Sequence, residues 1–120
     1  MDDIYTAKLD GTEVANLTRS PGTWEEHGKY SPAGQYFAFM SSRHDRSLRF
    51  PRARAAQLVT ELYIREGNKE PVQVTRVNTS KDQKTVVSDF DWDQSGKRIV
   101  FQVAKLDNSE LPKLMILTLP

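Results

Sequence analysis

One short grammar occurs twice in this chain and constrains its fold more than any other feature. Tyr30-Ser31-Pro32-Ala33-Gly34 leads into the alternating run Tyr36-Phe37-Ala38-Phe39-Met40-Ser41. Trp92-Asp93-Gln94-Ser95-Gly96 leads into Arg98-Ile99-Val100-Phe101-Gln102-Val103, and Gly96 lies 62 positions beyond Gly34. In each copy an aromatic residue, a tight turn with glycine and an apolar alternation describe a strand that ends, reverses and returns. The two-residue period of a strand puts Phe37 and Phe39 on one face, which makes them the expected core.

The neighbouring segments continue the series. Ile4 to Leu9 reads as a strand, Asp10-Gly11 as a hairpin turn and Val14 to Thr18 as the returning strand. Trp24 to Tyr30 is a strand weakened by Gly28. Glu61 to Arg65 and Val72 to Thr75, joined at Gly67-Asn68, repeat the first hairpin: Tyr63 lies 58 positions after Tyr5, and Val74-Thr75 lies 57 after Leu17-Thr18. Val86 to Trp92 and Leu114 to Leu119 are further strands. Between Arg43 and Ala56 a basic insertion carries Arg43, Arg46, Arg49, Arg52 and Arg54. Pro51 argues there against one long helix, and Ala53 to Leu58 suits a short helical turn in a long surface loop. Thr79 to Lys84 reads as a polar loop. No helix of ordinary length is needed, so the expected class is all-β, with about two antiparallel four-stranded units.

A unit of about 50 to 60 residues holding four short strands is the size of a propeller blade, which buries its faces only against neighbouring blades. The order Ile-Tyr, Asp-Gly, Leu-Thr, aromatic-Ser-Pro-x-Gly, apolar-x-Phe resembles the repeat of TolB-like β-propellers, which are related to the propeller domains of prolyl oligopeptidases. Ile4-Tyr5, Asp10-Gly11, Leu17-Thr18, Tyr30 to Gly34 and Phe37-Ala38-Phe39 carry one copy of it. Gly67-Asn68, Val74-Thr75 and Trp92 to Gly96 carry a weaker one. The resemblance implies a partial blade over 1–18, a blade over 24–76 with the insertion at 43–56, and a partial blade over 86–119. Numbered from the channel outward, the strands would run 3-4, 1-2-3-4, 1-2-3. Such a chain cannot close a ring, so the ring is expected to be completed by further copies or by more chain, although each copy then carries one surplus strand of the Ile-Tyr type. The resemblance further implies a non-catalytic periplasmic module that binds protein partners at its loop rims or channel. Two alternatives are a fragment of the substrate-gating propeller of a prolyl-oligopeptidase-like peptidase and a ring that binds a small ligand or carbohydrate.

The side-chain chemistry is sparse. A net charge of +1 gives no pull toward nucleic acid, no apolar run reaches the length of a membrane span, and no cysteine offers a disulfide or thiolate site. Ser41-Ser42-Arg43-His44-Asp45 holds triad residue types, but neighbours on a strand diverge, so no catalytic residue is expected. Asp89, Asp91 and Asp93 alternate like acidic calcium-loop ligands, yet Gln94 stands where that loop needs glycine and Val100 where it needs glutamate. On a strand such carboxylates stand about 7 Å apart, which favours a solvated face over a metal site. His27 and His44 have no partner at ligand spacing, and no cofactor is expected. Arg46, Arg49 and Arg52, spaced by three with Phe50 among them, suit an anion-recognition loop; the opposing reading is a solvated loop, or arginines paired with acids of an adjacent blade. The candidate binding residues are therefore Arg46, Arg49, Arg52, Asp89 and Asp91. Tyr30, Tyr36, Trp92 and Phe101 are expected to pack between blades.

Overall fold

The computed structural model describes residues 2–49, 52–79 and 84–120. Phe50, Pro51 and most of the polar loop expected at 79–84 lie outside them. Among the described residues the chain forms nine strands and one short 3-10 helix, Ala55–Gln57. The strands are β1 (Tyr5–Thr6), β2 (Ala15–Asn16), β3 (Glu25–Tyr30), β4 (Tyr36–Ser41), β5 (Glu61–Glu66), β6 (Val72–Gln73), β7 (Thr85–Trp92), β8 (Arg98–Lys105) and β9 (Lys113–Thr118). They form three antiparallel sheets ordered β1-β2, β3-β4-β5-β6 and β7-β8-β9, and none of the three closes on itself.

The middle sheet buries both faces. On one, Phe37, Phe39 and Tyr63 receive Ile4 and Leu17, which flank the two strands of the first sheet. On the other, Ala38, Leu62 and Ile64 pack against Val87, Phe90, Ile99 and Phe101 of the third. Alternation along β4 and β5 is the cause, since odd and even positions project to opposite sides. Phe37 and Phe39 are core residues, as their spacing required. Tyr36 stacks on Trp92 across the second junction at 6.2 Å. Tyr30 tilts against Phe37 at 4.9 Å and is half exposed.

The repeat holds at the level of register. Tyr30 opposes Phe37, Lys29 opposes Ala38 and Glu25 opposes Ser41 in the first long hairpin. Trp92 opposes Ile99, Asp91 opposes Val100 and Val87 opposes Val103 in the second, each residue 62 positions on. Both hairpins break register at one place, between Glu26 and Lys29 and between Val87 and Phe90. A bulge there adds residues to one strand and bends it. His27 absorbs the bend with φ 57°, and Gly28 keeps the approach open, because a Cβ on it would lie 2.5 Å from Phe37 Cζ.

The two junctions between sheets are also built alike. Glu25 N donates to Asp2 O at 3.1 Å, and Val87 N donates to Thr60 O at 3.3 Å. Asp2 and Thr60 each lie just before the Tyr5 and Tyr63 strands, 58 positions apart. The difference between the repeats sits in one connection. Phe39 opposes Tyr63 whereas Phe101 opposes Met115, so the first unit is ten residues longer between these strands. That extra length is the arginine-rich insertion.

Candidate functional site

The insertion emerges at the end of the molecule where the strand connections gather. Ser42 N donates to Trp24 O, Thr60 N to Thr85 O and Leu106 N to Lys84 O, at 3.0, 3.3 and 3.4 Å, which ties the end of β4 to the start of β3, and the start of β7 to the start of β5 and the end of β8. Beneath this rim lie two buried carboxylates. Glu25 Oε1 accepts from Thr23 Oγ1 at 3.2 Å, Ser41 Oγ at 3.0 Å, and Arg43 Nε at 3.0 Å, and also pairs with Arg43 Nη2. The Arg43 guanidinium lies over Phe39 and Tyr63, 5.0 and 5.4 Å from the ring centres. Two rings and one carboxylate therefore hold this arginine inward.

The second carboxylate explains the Leu-Thr element of the repeat. Thr75 Oγ1 donates to Glu61 Oε2 at 2.6 Å and accepts from Leu62 N at 2.8 Å. Thr18 Oγ1, 57 positions earlier, donates to Asp3 Oδ1 at 3.1 Å and accepts from Ile4 N at 3.0 Å. Glu61 also takes Val77 N, as Asp3 takes Ser20 N, both at 3.1 Å. Burial opposes the charge of Asp3, but hydrogen bonds from Asn16, Ser20 and Thr18 outweigh it and hold its pKa below the ordinary value. Asn78 completes the Glu61 site through N and Nδ2, and its Oδ1 accepts from Thr85 N at 3.0 Å, which joins β5 to β7.

Above these anchors, Arg46, Arg49 and Arg52 are exposed, and among the described residues none has an ion-pair partner. Arg54 and Arg76 share both properties. Asp45, the acid nearest in sequence, accepts from Ser47 N and Oγ at 2.9 and 2.6 Å and has its pKa lowered by those bonds. Leu48, between Arg46 and Arg49, and Leu58, beyond Arg54, are buried, and Leu58 packs on Met40 and Val86. The insertion thus has an apolar root and a cationic crest. Composition revealed the crest; only the fold reveals that no acid among the described residues pairs with it.

Asp89 and Asp91 lie elsewhere, on β7, an edge strand of the third sheet. Asp89 Oδ1 stands 3.5 Å from His27 Nδ1, and Asp91 Oδ1 stands 3.5 Å from Lys29 Nζ. These contacts run between β3 and β7, so each acid faces a basic side chain across the junction. The structure does not bring them together with the arginines, and no acid and histidine group suited to a metal ion occurs among the described residues. Asp93 folds back on its own turn, accepting from Ser95 Oγ at 2.7 Å and Arg98 Nε at 2.8 Å, which hold its carboxyl well below the usual range.

The Ser-His-Asp run is not assembled. Ser41 Oγ bonds Glu25 and Arg43, Ser42 Oγ accepts from Trp24 N, and neither ring nitrogen of His44 has a hydrogen-bond partner among the described residues. Burial lowers the pKa of His44. No family model matches the chain, and no curated protein matches it.

Proposed function

We propose that this chain is a non-catalytic binding and scaffold unit of TolB-like β-propeller type. The observation that carries the reading is the repetition: one register and one bulge position recur in the two long hairpins, and one backbone bridge recurs at both places where sheet meets sheet. Repetition of one packing step is how blades accumulate around a channel. In this reading the inner strands β3 and β7 face the channel with the His27–Asp89 and Lys29–Asp91 pairs. The insertion stands at the rim, and further copies continue the series.

The uncompensated arginines supply the binding chemistry. Arg46, Arg49 and Arg52 present planar guanidinium forks that match carboxylates, and the rigid sheets below hold them without enclosing them. The partner is an acidic protein surface. The test compares binding of a glutamate-rich peptide and of a duplex DNA of matched charge to the wild type and to an Arg46→Ala, Arg49→Ala, Arg52→Ala variant. The reading predicts that the peptide is preferred and that the variant binds it about tenfold or more weakly with unchanged melting. Equal peptide affinity in the two proteins, or a preference for DNA, would contradict it.

A further inference from the structure

Two arginines stack on the aromatic face that the middle sheet turns to the first, and only one of them has a carboxylate. Arg43 lies over Phe39 and Tyr63 and is held by Glu25. Arg65 opposes Phe37 in the pairing of β4 with β5, and its guanidinium carbon stands 5.9 Å from the centre of that ring. Among the described residues its one hydrogen-bond acceptor is Leu17 O, 2.6 Å from Nη1; its Nε is buried without an acceptor, and no acid pairs with it. The repeat does not demand a cation there. The spacing that carries Tyr5 to Tyr63 places Ala7 at this position, and the register that sets Phe37 against Arg65 sets Ile99 against Leu117. A guanidinium drawn out of water into a sheet junction is stabilised by an anion, and the described residues supply none.

Arg65 lines a cleft of about 520 Å³ between β2 and the turn that joins β5 to β6, whose walls also carry Asn16, Arg19, Asn68, Lys69 and Glu70. A cleft of this volume takes a small organic molecule. Both walls are hairpins internal to the chain, and a strand added beside β1 or β9 would lie away from them, so continuing the series of sheets leaves the cleft open. Its charges are unevenly matched. Lys69 Nζ is held by Glu66 Oε2 at 2.6 Å. Arg19, like Arg65, has no ion-pair partner among the described residues. Asn16 Oδ1 accepts from Thr18 N and Arg19 N at 3.1 and 2.9 Å, and holds Arg19 at φ 43°, which a residue with a side chain seldom adopts. Glu70 is the one acid on the lining, and it has no ion-pair partner either among the described residues.

We propose that this cleft binds a small organic oxyanion, a carboxylate or phosphate compound, whose charged group is taken by Arg65 and Arg19 and opposed by Glu70. Guanidinium forks match both oxyanions, so the chemistry is shared by the two sources. None of Arg46, Arg49 and Arg52 lines the cleft, which makes it a second site apart from the rim. The probes are citrate and inorganic phosphate, titrated separately into the full chain at low salt and followed by calorimetry. At least one should bind saturably; tighter citrate marks a carboxylate ligand and tighter phosphate a phosphoryl one. Arg65→Met, which keeps an unbranched side chain over Phe37, should weaken binding about tenfold or more, and the exposed Arg19→Ala about threefold or more. Glu70→Gln should strengthen it, because the acid that repels the ligand is then neutral. The Arg46→Ala, Arg49→Ala, Arg52→Ala variant should bind the probe unchanged, which separates failure here from failure of the rim reading. Should Arg65→Met not fold, the Arg19 and Glu70 variants decide. Binding of neither probe, affinity unchanged in Arg65→Met or in Arg19→Ala, weaker binding by Glu70→Gln, or loss of binding in the triple variant would overturn the proposal.

Discussion

Glu25 and Val87 hold equivalent places in the two long hairpins, opposite Ser41 and Val103, yet one position is ionic and the other apolar. Both solutions are buried. A buried ion pair gains little net stability over an apolar pair of similar volume, but removing one partner leaves a charge without compensation. Glu25→Ala should therefore cost about 3–5 kcal/mol in denaturant unfolding, because Arg43 stays held over Phe39 and Tyr63. The double replacement Glu25→Val with Arg43→Leu, which copies the second hairpin at Val87, should recover most of that loss. If the single and double variants unfold alike, the pair is not the unit described. Phe37 and Phe39 were legible in the sequence because period two alone assigns their face. Glu25 was not, since nothing in Glu25-Glu26-His27 marks its first acid as buried, and the bulge at His27 and Gly28 separates their environments only in three dimensions.

At the scale of elements, the repeating unit is a strand with a carboxylate at its root and a threonine that bridges it to the strand amide. The Leu-Thr element was visible in the sequence as a recurrence; its cause was not, because the acid that explains it lies 14 or 15 residues away, at Glu61 or Asp3. The buried Glu61 relies on its bonds more than the partly exposed Asp3 does. Thr75→Val should therefore cost about 1–3 kcal/mol, the penalty for leaving a buried partner unsatisfied, and Thr18→Val distinctly less. Equal losses in calorimetric melting would mean that burial of the carboxylate does not set the cost. The arginine insertion was legible as a break in the repeat, but its anchoring through Leu48 and Leu58 required the fold.

At the scale of the whole molecule, the third sheet exposes what the middle sheet hides. Ala38, Leu62 and Ile64 are 0%, 0% and 7% exposed, whereas their counterparts Val100, Leu114 and Ile116 are 41%, 76% and 68% exposed. The same apolar face is thus covered once within the chain and bare once. Exposed apolar faces of this kind mark sites of association, and a copy of this chain offers sheets already shaped to stack in this way. The sequence showed the strand pattern but not the bare face, because β9 carries the same alternation as the buried β5. The most direct test is the mass in solution, measured by light scattering on a size-exclusion column for the wild type and for a Leu114→Lys, Ile116→Lys variant. The account predicts a discrete multiple of 13.7 kDa for the wild type and a folded smaller species for the variant. A monodisperse wild type of 13.7 kDa would contradict it.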